Sequence, residues 1–319
     1  MKSVVILDDY QNCALKMGPW DRLAGKAELR VITRYIGDRD ELIRQLGEAQ
    51  VIVCNRERTP ITKDLLSALP KLELVVTSGM RNNSIDVDAA VERGITVSGT
   101  ATLGYPTAEL TIGMILGWFR NIPQEVNNLH AGRWQQTVGV GVRGRTLGVV
   151  GFGRIGADVA KVCLALGMNV MAWSRSMTPE KAAAAGVTMA SLDDVMSQSD
   201  VVSVHLLANA QTRGIIGARE IGLMKSSALL VNTARAALVD QDAMINALNN
   251  RRIGGVALDV YDIEPLPSDH PLLKAQNTLL TPHLGYVMEE NYRISYTECV
   301  EDIEAWLAGK PIRVLAPSK

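Results

Sequence analysis

Short, nearly continuous aliphatic runs recur along the chain, at residues 4–7, 51–53, 72–76, 147–150, 170–173, 201–204, 228–231 and 256–258. Continuous rather than alternating apolar character marks strands buried on both faces, as in parallel sheets covered by helices. Between the runs lie stretches with helical spacing or a capping residue, at 40–46, 86–92, 154–166, 191–197 and 240–249. Strand and helix alternate throughout, which predicts an α/β, doubly wound architecture. Residues 110–119 are apolar on almost every side. A helix there is buried either within the fold or against a partner. Residues 289–307 carry Tyr292, Tyr296, Cys299, Val300, Ile303, Trp306 and Leu307 on one helical stripe, which stops ahead of Gly309 and Pro311.

The pattern breaks at residues 98–105, where Ser-Gly-Thr and Gly-Tyr-Pro interrupt it, and again at Gly285-Tyr286. At roughly 150 residues per domain, a chain of 319 residues suggests two. A first domain built from both ends of the chain is compatible with these breaks. Aromatic residues are only 4% of the chain, so the core is expected to be aliphatic. The net charge of −1, with no basic block, offers nothing for nucleic acid or an anionic membrane. Cys13, Cys54, Cys163 and Cys299 are scattered without metal-ligand spacing, so reduced thiols and no metal are expected. The apolar run at 4–7 ends at Asp8-Asp9, too soon for a signal-peptide core, and no segment has the roughly 20 apolar residues of a membrane span. A cytoplasmic protein is the expectation.

Residues 147–150 are followed by Gly151-Phe152-Gly153-Arg154-Ile155-Gly156. A G-x-G-x-x-G has meaning when it follows a strand and opens a helix, as this one does. Gly151 permits the tight turn, Gly153 lets backbone approach a diphosphate, and Gly156 allows close packing of helix on strand. The helix start at Arg154 and Ile155 then presents free amides and a partial positive charge to an anion. A strand at 170–173 completes the unit, so the cofactor expected is NAD(P). Where an acidic residue would hold the ribose hydroxyls of NAD, the chain has Trp173-Ser174-Arg175-Ser176. Arg175 can pair with a 2′-phosphate and Ser174 can donate to it, so a modest preference for NADP(H) is expected.

Three ionisable side chains follow strands downstream of this turn: Arg235, Glu264 and His283. In open α/β sheets ligands bind beyond the carboxyl ends of the strands. Reduction of a 2-oxo acid needs a proton donor, for which a histidine is suited near neutral pH. A carboxylate on its other nitrogen fixes its tautomer. An arginine grips the substrate carboxylate bidentately and polarises the adjoining carbonyl.

With these residues in place, the sequence resembles the D-isomer-specific 2-hydroxyacid dehydrogenase family over essentially its whole length. The matching stretches are 151–156, 203–206, 230–235, 258–261, 264–267 and 281–285. The resemblance implies a Rossmann dinucleotide-binding domain inserted into a flavodoxin-like substrate domain. The substrate domain is expected at residues 1–98 plus 287–319 and the cofactor domain at 99–286. It also implies a homodimer, and an NAD(P)-dependent reductase of small 2-oxo acids such as glyoxylate or hydroxypyruvate. It assigns Arg235 to the substrate, Glu264 to the histidine and His283 to acid/base work. Thr233, Asp259 and Gly285 are expected beside the cofactor, Asp259 near the nicotinamide amide. The family's glycine-rich substrate loop reads Ser78-Gly79-Met80-Arg81-Asn82 here, so Gly79, Met80 and Arg81 are expected to meet the substrate, with Tyr286 beside them. Arg81 either meets a second anionic group or turns to solvent. His205 also falls at a family position, where a packing role is expected. A phosphoglycerate-type dehydrogenase and a cofactor-sensing, corepressor-like binding protein are the alternatives on the same fold.

Overall fold

The apolar runs form the interiors of two parallel sheets. In the computed structural model, which describes residues 1–317, the chain divides into two compact units. One is Met1–Leu103 together with the chain from Val287, and the other is Gly104–Tyr286. The first unit holds β1 (Lys2–Ile6), β2 (Ala27–Val31), β3 (Val51–Cys54), β4 (Leu74–Thr77) and β5 (Thr96–Gly99). Their order is β2-β1-β3-β4-β5, with every pairing parallel, which is the flavodoxin-like order. Every residue of β3 and β4 is buried, as the continuous runs predicted. The edge strand β2 alternates instead, exposing Glu28 and Arg30, so it has no continuous run to announce it.

The last segment of the chain closes this unit. Val314 bridges Ser98 in antiparallel fashion, and the Gly99 amide donates to the Arg313 carbonyl at 3.0 Å. Arg313 in turn donates to Asp302 and Glu301 of the helix Glu289–Leu307, each at 2.9 Å. The expected boundary after residue 98 falls later, between Leu103 and Gly104. The reason lies in residues 100–103, which are tied to that same helix. Thr100 Oγ1 meets Ser295 Oγ at 3.0 Å, the Ala101 amide donates to Glu298 at 2.5 Å, and the Leu103 amide donates to Asn291 at 2.9 Å.

The second unit is a seven-stranded parallel sheet of β6 (Thr146–Val150), β7 (Asn169–Trp173), β8 (Thr188–Met189), β9 (Val201–Val204), β10 (Leu229–Asn232), β11 (Gly255–Leu258) and β12 (Thr278–Leu280). The order β12-β11-β10-β9-β6-β7-β8 is the Rossmann order with one further strand at the edge. The apolar segment near 110–119 forms the helix Pro106–Phe119. It buries Met114, Ile115 and Phe119 against Leu147, Val149 and Val159, so its place is in the core of this unit. The helix Ile122–His130 follows it and was not evident from the pattern. Register fixes the functional edge. Val150 pairs with Trp173 and Val204, Asn232 with Val204 and Leu258, and Leu258 with Leu280. The residues just after β6, β7, β9, β10, β11 and β12 therefore all emerge along one edge. Among the described residues no helix is long and apolar enough to cross a membrane.

Candidate active site

The glycine turn sits where the strand order reverses, between β6 and β9. Gly151 has φ +102°, and a side chain there would come within 2.7 Å of the His205 backbone. Gly156 lies directly on the Gly151 carbonyl, which leaves no room for a Cβ. These two glycines are required by the protein itself. Gly153 is different: it is exposed, has no atom within 4 Å of where a Cβ would stand, and lacks a side chain to cap the helix Arg154–Ala165. A bare backbone in open space at an uncapped helix start fits a diphosphate. Arg154 is exposed in the first turn, and Ile155 rests on the core.

Beyond β7 the turn carries a half-buried Ser174 and an exposed Arg175, the latter hydrogen-bonded to Gln211. Lys181 donates to the Ser176 carbonyl at 3.0 Å, a second cation at this turn that sequence reading passed over.

Glu264 and His283 meet. Glu264 Oε2 lies 2.5 Å from His283 Nδ1, while Oε1 accepts the Tyr261 amide at 2.9 Å. The carboxylate is thus held by its own turn and holds the ring. His283 has φ +53°, a left-handed conformation unusual for a residue with a Cβ. Its ring stands edge-on to Tyr286, with centroids 5.4 Å apart and planes at 80°. Arg235 stands on the turn after β10. Asn232 shapes that turn, donating to the Arg235 carbonyl at 2.9 Å and accepting from the Ala234 amide at 3.0 Å.

Asp259 explains the His283 backbone. Its carboxylate is fully buried at the end of β11, and it accepts from Thr281 Oγ1 at 2.6 Å, the Leu284 amide at 2.7 Å and the Gly285 amide at 2.8 Å. Burial raises its pKa despite these donors, which act in the opposite sense. Three bonds from one carboxylate therefore fold residues 281–285 around His283. Thr107 Oγ1 donates to the Gly285 carbonyl at 2.9 Å. Thr111 Oγ1 pairs with Thr233 Oγ1 at 2.8 Å, which turns the Thr233 hydroxyl toward the helix Pro106–Phe119. Thr107 and Thr111 are supports that sequence reading missed, because they lie in no motif, while Tyr261 and Thr281 lie in matching stretches without a role that the sequence could show.

His205 is a structural residue. It is half-buried, with Nε2 2.8 Å from Ser203 Oγ, and burial pushes its pKa down to about 4.

In the first unit the turn after β4 carries Gly79, at φ +97°, with Met80 and Arg81 exposed beyond it. Asn82 Nδ2 ties the turn down, donating to the Arg56 carbonyl at 2.7 Å and to Thr77 Oγ1 at 2.8 Å. The Arg56 guanidinium lies against Gly79 and donates to the Ser78 carbonyl at 3.2 Å. Arg58, two residues on, has its guanidinium 4.4 Å from the Tyr10 ring centroid. Neither arginine was singled out in the sequence; Arg56 precedes the loop it touches by some twenty positions.

A Rossmann sheet with an open glycine turn, and a carboxylate-bound histidine on the same edge, define a dinucleotide-binding protein with acid/base equipment. The chain belongs to the D-isomer specific 2-hydroxyacid dehydrogenase family, and residues 112–285 match that family's NAD binding domain. It is 35% identical over 97% of its length to a D-3-phosphoglycerate dehydrogenase of Methanocaldococcus jannaschii, of which it covers 58%. It is 37% identical to a glyoxylate reductase of Aeropyrum pernix, over 77% of each chain. A crystal structure of a phosphoglycerate oxidoreductase from Vibrio cholerae superposes with a TM-score of 0.92 at 35% identity, covering 97% of this chain and 100% of that one. The chain spans about half the length of the curated phosphoglycerate dehydrogenases it matches.

Proposed function

We propose that the chain is an NAD(P)-dependent oxidoreductase that interconverts a small 2-oxo acid, of the glyoxylate or hydroxypyruvate kind, with its D-2-hydroxy acid. The observation that carries this reading is the 2.5 Å contact between Glu264 and His283 on the edge that also bears the glycine turn. With Nδ1 engaged by Glu264, Nε2 of His283 is the atom that exchanges a proton with the substrate oxygen. Arg235 holds the substrate carboxylate. Gly151, Gly153, Arg154, Ile155 and Gly156 take the diphosphate. Thr233, Asp259 and Gly285 border the nicotinamide, Asp259 chiefly by shaping the turn at 281–285. Bound nicotinamide supplies or accepts the hydride. Gly79, Met80, Arg81 and Tyr286 are the remaining substrate contacts. The intact Glu264–His283 pair disfavours a purely cofactor-sensing protein. The direct test is the absorbance of reduced nicotinamide with a panel of 2-oxo acids. Cofactor consumption supports the reading, and tight binding without turnover overturns it.

A second reading, a phosphorylated hydroxy acid as substrate, is favoured by one observation: the Arg56 guanidinium lies against the Gly79 turn, which itself carries the exposed Arg81. Such a pair suits a second anionic group. A higher kcat/KM for phosphohydroxypyruvate than for hydroxypyruvate, reversed by Arg81→Ala, would select it.

NADPH is the proposed cofactor form, since Ser174, Arg175 and Lys181 surround the β7 turn without a carboxylate at 174–178. NADPH should bind at least several-fold more tightly than NADH, and Arg175→Ala should level the two. Equal constants in the unmodified protein would remove the preference.

A homodimer is proposed from the helix Ile122–His130 and the segment after it. Ile122, Val126 and Leu129 form an exposed stripe, with Trp134 at 73% and Val138 at 92% exposure alongside. An apolar patch of this kind marks an interface. All four cysteines are free, three of them buried, which supports a reducing compartment such as the cytoplasm.

A further inference from the structure

Arg154 stands at the wrong end of its helix. The helix Arg154–Ala165 has no acidic residue in its first turn, and its N-cap offers no side chain. A cation there opposes the helix dipole, whose positive end it joins. Among the described residues Arg154 makes no hydrogen bond or ion pair to offset this. What it has is a surface to lie on. Its guanidinium rests against Gly104 so closely that a methyl group on Gly104 would overlap Cζ, Nε and Nη1. Gly104 is not in the left-handed region, so its own backbone conformation does not call for glycine. The room it leaves is room for Arg154.

We infer that Gly104 is a positioning residue of the dinucleotide site: its bare backbone is the ledge that keeps the Arg154 guanidinium set for the diphosphate. The inference rests on the dinucleotide-binding reading. An arginine side chain is rich in rotamers, and holding it in one of them before the ligand arrives lowers the entropy lost on binding. A Cβ on Gly104 would displace only the tip of a flexible side chain, so Gly104→Ala should fold and melt like the unmodified protein.

The test uses ADP-ribose, which contains the diphosphate, and adenosine, which lacks it, titrated into the unmodified protein, Gly104→Ala, Arg154→Ala and the double variant. Arg154→Ala should weaken ADP-ribose about tenfold, the scale of one charge-assisted contact. Gly104→Ala should weaken it by a part of that, about three- to fivefold, by the same scale. The double variant should be no weaker than Arg154→Ala, and adenosine should bind all four alike. Three outcomes overturn the inference: unchanged ADP-ribose binding in Gly104→Ala, a double variant weaker than Arg154→Ala, or parallel losses for adenosine. Failure of the unmodified protein to bind ADP-ribose would overturn the dinucleotide reading as well, and is distinct from these.

Discussion

His283 and His205 show how one residue type is given two tasks by its surroundings. His283 touches a carboxylate and an aromatic edge, and its side chain keeps 23% of its surface exposed. His205 is half-buried against Ser203, and desolvation disfavours its charged form, which is why its pKa falls from 6.5 to about 4. The sign of its contribution follows. The unfolded chain takes up the proton first, so the stability tied to neutral His205 is complete above about pH 6.5 and is lost as pH falls toward 4. At 1.36 kcal/mol per pKa unit the loss is on the order of 3 kcal/mol across that window. Urea midpoints should fall from pH 7.5 to 4.5, and less steeply in His205→Gln. Parallel curves would mean that a charged His205 is tolerated. Of the candidate site, the open glycine turn and the meeting of Glu264 with His283 were legible because motif and position coincide in the sequence. The buried Asp259 carboxylate was legible only as a family position. Its three bonds to residues 281–285 join groups separated by more than twenty positions, which no local pattern reveals.

At the scale of elements, legibility tracked burial. Central strands such as β3 and β9 are buried at every position and read as unbroken apolar runs. β2 is an edge strand with alternating exposure, and β8 has only two residues, so neither stood out. The helix Ile122–His130 follows the buried helix Pro106–Phe119 almost without pause, and its apolar face points outward, which hid its boundary. Because the central strands carry the core, they should also carry its stability. Leu147 of β6 is fully buried in the core of the second unit. Leu147→Ala should cost about 2–5 kcal/mol, as truncation of a buried leucine does. Denaturant unfolding would show it as a lowered midpoint with the slope unchanged. A loss under about 1 kcal/mol would mean that the site collapses around the deletion.

For the molecule as a whole, the near-neutral charge of −1 gives little electrostatic repulsion between copies, and the exposed face of Ile122, Val126, Leu129, Trp134 and Val138 gives a reason to associate. Sedimentation should find two copies together. Leu129→Glu combined with Val138→Glu should yield single chains with unaltered secondary structure by circular dichroism. A monomer before substitution would leave that face without the role assigned to it. The two-unit organisation was legible from the breaks near residue 100 and at 285–286. The placement of the first boundary was not, because the bonds from residues 100–103 to Asn291, Ser295 and Glu298 join groups 188 to 197 positions apart.

The most direct test of the account compares the unmodified protein with His283→Ala, following both cofactor binding and the oxidation of reduced nicotinamide by 2-oxo acids. Loss of a positioned acid/base should lower turnover by about 10²–10⁴-fold, while the dissociation constant for the cofactor stays within about twofold, since a twofold change is under 0.5 kcal/mol. Turnover in His283→Ala close to that of the unmodified protein would contradict the role at the centre of the account.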